Sequence, residues 1–360
     1  MKKRWIILVL LIPILLVLGF RLYVMTHSSD IAPVDDSDLL LVRPDVPVKN
    51  NAYQVFTNAI DLLYVPEEYD LAEYLWCDSN EVSVSQEQIT ELLNKNKMLI
   101  AMIDDGVQRE FCFRETLFEL DIPIRKFLDI HLVLLAKIKE LMDDRKFYEA
   151  LDIARISLRF GYLVEKDAEC FVEALAGITM LQRSLICIDE LTNQYNFTQD
   201  QMSLLIKDLS KMKDLRIGME SSYRGQYSYA INESLDLIDS ISKRHKSSSP
   251  VQFLTGRDYA FKPNTTKKVL AEYWRRQIYN LKNPDHMQEM QYDSEKYRVP
   301  NEFITKMAFL FDENSIGKIF LSLNMLSDLS DHHEEVYKTE KMVSGLKTKL
   351  LLRQQKIDNL

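Results

Sequence analysis

Glycine is scarce in this chain, with 9 residues in 360, roughly a third of the usual share of about 7%. Folds built on glycine-rich turns, such as dinucleotide-binding and P-loop domains, are poor candidates for it. Cysteine is also sparse: Cys77, Cys112, Cys170 and Cys187 are too few to staple a small scaffold, and no C-x-x-C spacing offers a zinc, redox or haem site. Proline is missing between Pro123 and Pro250, an interval that accommodates several uninterrupted helices. No Walker pattern, G-x-S-x-G elbow or H-E-x-x-H motif occurs, so no cofactor, metal or catalytic residue is assigned.

What is present begins at the N-terminus. Lys2, Lys3 and Arg4 precede an apolar run from Trp5 to Phe20, which continues to Met25 with Arg21 as its one charge. About 20 residues of helix cross a hydrocarbon core of about 30 Å. A cleaved signal peptide shares the basic start and apolar core, but no pair of small residues in an A-x-A arrangement follows. Residues 1–25 therefore read as an uncleaved transmembrane anchor. The basic residues before the span put the N-terminus in the cytoplasm and the remaining chain outside an inner membrane. Setting aside Lys2, Lys3, Arg4 and Arg21 leaves 41 of the 45 basic residues against all 54 acidic ones, a balance of −13. That field disfavours nucleic acid as a partner.

Residues 26–49 carry Ser28, Ser29, Asp30, Pro33, Asp35, Asp36, Asp38, Pro44 and Pro47 and read as a polar, proline-punctuated spacer. The cluster Leu39 to Val42 within it is apolar enough to dock on the domain. Residues 50–360 read as one all-α domain. Phe127, Leu128, Leu134, Leu135, Ile138 and Leu141 repeat at helical spacing, as do Phe171, Leu175, Ile178, Leu181, Leu185 and Ile188. Two further stripes are Met202, Leu205, Leu209, Met212 and Tyr227, Ile231, Leu235, Ile238, Ile241. Ser85 and Thr198 each stand three residues before a glutamine, the capping-box spacing, so helices are expected to begin beside both. Loop chemistry at 247–264 marks a break before a C-terminal set of helices near 265–282, 302–311, 316–326 and from 330 onward. In the last of these Val336, Val343, Leu350 and Ile357 recur every seven residues, a seam expected to pack on its own domain rather than to form a dimer zipper.

If 170–187 is one helix, Cys170 and Cys187 stand about 25 Å apart and cannot bond. Cys77 with Cys112 is then the pair to consider, with buried free thiols as the other reading. Asn196, Asn232 and Asn264 open glycosylation-type tripeptides, a pattern too common to decide a compartment.

The segment Asp144-Arg145-Lys146-Phe147-Tyr148-Glu149-Ala150-Leu151, continuing to Ser157-Leu158, resembles the turn and second helix of a tetratricopeptide repeat, with Phe147, Ala150 and Ser157 as the matching positions. That resemblance implies antiparallel helices packed through small residues and a peptide- or protein-binding role. It spans one helix, with no second copy about 34 residues away. More broadly, the anchored N-terminus, Asn50-Asn51-Ala52-Tyr53, the central hairpin and Asn314-Ser315-Ile316-Gly317 resemble uncharacterised membrane-anchored helical proteins of bacteria. This implies an all-α architecture, TPR-like or of irregular helical hairpins, and a location, but no reaction.

Residues able to do chemistry are few. His332-His333-Glu334-Glu335 is the densest group of potential ligands, yet it lacks a converging partner and reads as an exposed helix start. His131 reads as a packed histidine. The adjacent pairs Asp104-Asp105 and Asp143-Asp144 read as turn-shaping residues at helix ends. The stretch Glu220 to Tyr229 crowds Tyr223, Arg224, Tyr227 and Tyr229 onto one helical region; interfaces favour these residue types, and the four form the candidate partner-binding patch. Glu220 and Arg224 are spaced for an ordinary ion pair, and the rings could equally cap the core. The expectation is a membrane-anchored helical interaction or scaffold protein of the bacterial cell envelope. The alternatives are an envelope hydrolase with a dispersed site, and a structural assembly subunit.

Overall fold

The computed structural model describes residues 15–16, 18–20, 23, 29–67, 69, 71–76, 84–114, 123–212, 214–235, 261–286, 314, 317–318, 320–321 and 329–358. Every regular element among them is helical, and the β-type pairing there is one isolated bridge between Asn51 and Phe111. The chain divides into two compact units, Leu41–Gly225 with Ser330–Leu360, and Met1–Leu40 with Gln226–Leu329. The division does not follow the expected break at 247–264, most of which lies outside the described residues. The C-terminal helix belongs with the first unit, where Val336, Val343 and Leu350 of its expected seam are 5% exposed or less and neighbouring Leu346 is 6% exposed; the Ile357 side chain lies outside the described residues.

In the larger unit, α1 (Tyr53–Ile60), α2 (Leu71–Trp76), α3 (Gln86–Lys95) and α4 (Lys97–Gly106) precede three long helices, α5 (Ile124–Asp143), α6 (Phe147–Lys166) and α7 (Phe171–Gln194). These lead into α8 (Gln199–Lys211) and α9 (Arg216–Tyr229), whose last four residues belong to the smaller unit, and the larger unit closes with α11 (Ser330–Asp358). Both expected capping boxes are present. Ser85 accepts from the Gln88 amide at 3.3 Å while the Gln88 side chain accepts from the Ser85 amide at 2.7 Å, and Thr198 and Gln201 repeat the exchange at the start of α8. Between α3 and α4, buried Asn96 donates to the Tyr64 and Leu92 carbonyls and accepts from the Tyr64 amide, tying down the segment that follows α1.

The α5–α6 turn is a Schellman closure. The amide of Arg145, at φ 60°, donates to the Met142 carbonyl, and that of Lys146 to the Leu141 carbonyl. This is the turn that resembles the repeat motif, and Ala150 and Ser157 are fully buried as such packing requires. The helices on either side, however, run for 20 residues each, so the hairpin alone exceeds the repeat length of about 34 residues. Phe56, Phe127 and Phe160 meet edge to face, with Phe56 and Phe160 at 4.8 Å between centroids, and anchor the core shared by α1, α5 and α6.

Among the described residues one helix, α7, is long and apolar enough to cross a membrane. Length and composition alone qualify it, because α7 packs against α5, α6 and α11 and more than half of its most apolar stretch is buried. The expected anchor at 1–25 falls largely outside the described residues; Leu15, Leu16, Leu18 and Tyr23 within it are helical and exposed.

The smaller unit contains α10 (Pro263–Lys282), preceded in the chain by a π-helical turn at Ala230–Leu235. Proline opens α10, where its missing amide costs nothing. Asn314, at φ 59°, accepts from the Lys262 amide at 2.7 Å and donates to the Thr266 hydroxyl at 2.9 Å. Within the expected spacer, residues 29–40 are docked: Asp36 is buried, 7% exposed, as is Leu39 of the apolar cluster, 1% exposed, and the segment is hydrogen-bonded to α10. The expected helices at 302–311 and 316–326 lie wholly or mostly outside the described residues.

Candidate functional site

The densest polar assembly of the larger unit surrounds the α6–α7 turn, Lys166 to Cys170. Glu165, Asp167, Glu169 and Glu173 are all buried, between 1% and 6% exposed. Two features of the local sequence explain their position. Glu173 stands in the first turn of α7, where its carboxylate accepts from the Glu169 and Cys170 amides at 3.0 and 3.2 Å, a favourable use of a helix N-terminus. Glycine supplies the space. A Cβ on Gly177 of α7 would meet the backbone nitrogen and Cα of Glu165, and one on Gly225 of α9 would meet the Glu169 carbonyl. Only a residue without a side chain lets these helices come so near the turn.

Charge is balanced from distant positions. Arg43 binds both carboxylate oxygens of Glu169 and donates to the Arg114 carbonyl at 3.0 Å. Arg114 donates to Glu173 at 2.7 Å and stands 3.7 Å from Glu169. Asp167 accepts from the Cys112 amide at 2.7 Å. Burial pushes the Asp167 carboxyl up to about 6, against the pull of Lys166 and of that amide. Burial likewise raises the Cys112 thiol well above its usual range, reinforced by Asp167, Glu173 and Glu169.

Glu165 is different, since its Oε1 has no partner among the described residues. Burial raises its carboxyl well above the usual range, and Asp167, Glu340 and Asp214 push it further in the same direction. The arrangement locks a turn, and among the described residues no three His, Cys, Asp or Glu converge as metal ligands.

A second polar cluster joins α5, α6 and α7. His131 Nε2 is 3.1 Å from Ser184 Oγ, which is 2.8 Å from Ser157 Oγ, and all three residues are fully buried. Burial carries the imidazole down to about 3, helped by Arg183, so it is neutral. Ser184 directs its proton to the Met180 carbonyl at 2.9 Å. Ser184 is thus placed as an acceptor toward an Nε2–H tautomer, the reverse of a nucleophile facing its base.

Two of the four residues of the expected patch are buried and two are half-buried. Tyr223 is fully buried in the larger unit and pairs with His333 at 2.9 Å. Tyr227 is fully buried in the smaller unit and donates to Asp36 at 2.6 Å. Arg224 is half-buried and bound to Glu220 at 2.7 Å, as the spacing predicts, and Tyr229 is half-buried. His333 is itself 1% exposed, which corrects the reading of an exposed helix start, and His332 meets the edge of Phe171. Cys112, Cys170 and Cys187 are free thiols; Cys77, the proposed partner of Cys112, lies outside the described residues. His131 is packed and hydrogen-bonded, as expected. Asp104, Asp105 and Asp144 serve local contacts, to Gln108, Arg109 and Lys146.

One open concavity among the described residues of this unit is a groove of about 320 Å³ between α7 and α11, lined by Leu185, Ile186, Met342 and Leu346 with Asp189 and Glu190. Lys349 reaches Asp189 at 2.5 Å, while Glu190 is exposed. Neither the acidic turn nor this groove has a signature in the spacing of the sequence. The available hint was Gly177, a glycine inside an otherwise apolar helix. No family model matches the chain, and comparison with curated proteins and with solved structures finds no match.

Proposed function

We propose that this chain is a single-pass, membrane-anchored helical interaction or scaffold protein of the bacterial cell envelope, held by residues 1–25 with its N-terminus in the cytoplasm. The observation that carries an interaction role over a catalytic one is the closure of its polar clusters: the carboxylates of the α6–α7 turn and the His131–Ser184–Ser157 set are buried from substrate. Support for the anchor is the basic start, the apolar length and the exposure of Leu15, Leu16 and Leu18. The outward orientation rests on the positive-inside rule, and the bacterial envelope on the resemblance of the architecture.

The groove between α7 and α11 suits an amphipathic partner segment, its apolar residues against Ile186 and Met342 and a cation toward Glu190. Proximity labelling with an enzyme fused after Leu360, compared between wild type, Ile186→Glu and the control Glu334→Lys, tests this. A protein set labelled by wild type and control but lost with Ile186→Glu supports the reading. An identical set from all three, or a set of cytoplasmic proteins, overturns the groove or the orientation respectively.

A further inference from the structure

The segment that leaves the expected anchor does not hang free. Asp30 receives the first amides of α10: Asn264 N at 2.6 Å and Thr265 N at 3.0 Å, with the Thr265 hydroxyl at 2.8 Å and the Asn264 side chain on the Ile31 carbonyl. An external carboxylate here satisfies orphan donors at the positive end of the helix dipole. Farther along, buried Asp36 accepts from Tyr227 at 2.6 Å and pairs with Lys267 at 2.8 Å. Arg275 donates to Asp38 at 2.6 and 2.9 Å and to the Asp35 carbonyl at 2.8 Å. Leu39, 1% exposed, closes the segment.

The order of these contacts gives a direction. Asp30 meets residues 264–265, Asp36 meets 267 and Asp38 meets 275, so the strand of chain runs along α10 from its N-terminal end for about 16 Å of helical rise. Chain emerging from a span that ends near Met25 therefore reaches the N-terminal end of α10 first. Five residues extend at most about 17 Å, whereas the C-terminal end of α10 is about 30 Å farther off along the axis.

We propose that residues 29–40 are a strap that fixes the α10 unit to the membrane interface in one orientation, with the N-terminal end of α10 toward the lipid surface. This rests on the anchored reading above. The strap converts a tether into a rigid standoff: its attachments are a helix cap and two ion pairs distributed along α10 and a buried carboxylate bond to Tyr227 of α9, and they oppose pivoting about any single contact.

The test uses the full chain in vesicles of phosphatidylethanolamine and phosphatidylglycerol carrying an acceptor dye on the headgroups. A fluorescent amino acid is placed at Lys268 or at Lys282, near the two ends of α10, both exposed. Energy transfer from Lys268 is expected to exceed that from Lys282, and the difference is expected to disappear in the triple variant Asp30→Ala, Asp36→Ala, Asp38→Ala. Should that variant fail to fold, Asp38→Arg alone and then combined with Arg275→Asp provides loss and recovery of the same difference. Equal transfer from the two positions in wild type, or a difference unchanged by the triple variant, overturns the strap. Release of wild type by alkaline carbonate, with transfer lost at both positions, overturns the anchor itself and the strap with it, and is thereby distinguished from failure of the strap alone.

Discussion

Gly218 lies against Glu165: a Cβ on this glycine would meet both the backbone carbonyl and the carboxyl group of that residue. The contact seals a carboxyl that is 1% exposed and whose Oε1 has no partner among the described residues. Neighbouring Asp167, Asp214 and Glu340 add negative charge around it, with Lys166 opposing. The α9 residue Arg216 pairs with Asp214 and lies 3.4 Å from Glu340, so part of that charge is already offset.

Glu165→Gln is expected to stabilise the protein at pH 8 and to make little difference near pH 4. The folded carboxyl titrates above its unfolded value, so the folded state binds the extra proton and wild-type stability falls as pH rises from the unfolded value toward the folded one. Urea denaturation midpoints of the two proteins between pH 4 and 8 check this. Parallel curves would mean that folding does not raise the Glu165 carboxyl.

Gly177→Ala and Gly345→Ala should move stability in opposite directions. At Gly177 the new Cβ meets backbone atoms of Glu165, and overpacking of this kind costs about 1–3 kcal/mol. At Gly345, inside α11, nothing lies within 4 Å, and alanine in a helix interior is favoured over glycine by about 0.5–1 kcal/mol. Chemical denaturation of each single variant reads both signs.

Removing Arg114 should be among the most damaging single changes. Its side chain is 4% exposed and serves Glu173 and Glu169, themselves buried. Arg114→Met takes this cation from Glu173 and leaves Glu169 to Arg43, a loss of about 3–5 kcal/mol by analogy with broken buried pairs. Adding Glu173→Gln to that variant should recover part of the loss, which a double-mutant cycle measures.

Ser85→Ala and Thr198→Ala should each cost about 1 kcal/mol, the usual worth of an N-cap. The two caps lie on α3 and α8, so their effects should add. Equilibrium unfolding of both single variants and the double variant tests the sum.

The sequence by itself determined the helical class, both capped helix starts, the Glu220–Arg224 pair and the burial of the α11 seam. Each depends on residues three, four or seven apart, which any α-helix brings together whatever surrounds it. The identity of the polar core was decided elsewhere. Arg43 and Glu169 are 126 positions apart, Tyr227 and Asp36 191 apart, and nothing in local spacing distinguishes an arginine that will meet a buried glutamate from one that will meet water. The same holds for the acidic segment 30–38, which reads as a polar spacer in sequence, whereas α10 supplies it with a helix end and two cations. Tyr223 and Tyr227, four residues apart on α9, share a helix face in sequence, yet one bonds His333 and the other Asp36. Helical periodicity selects the residues that face inward, whereas the packing of distant elements selects the partner each one finds there.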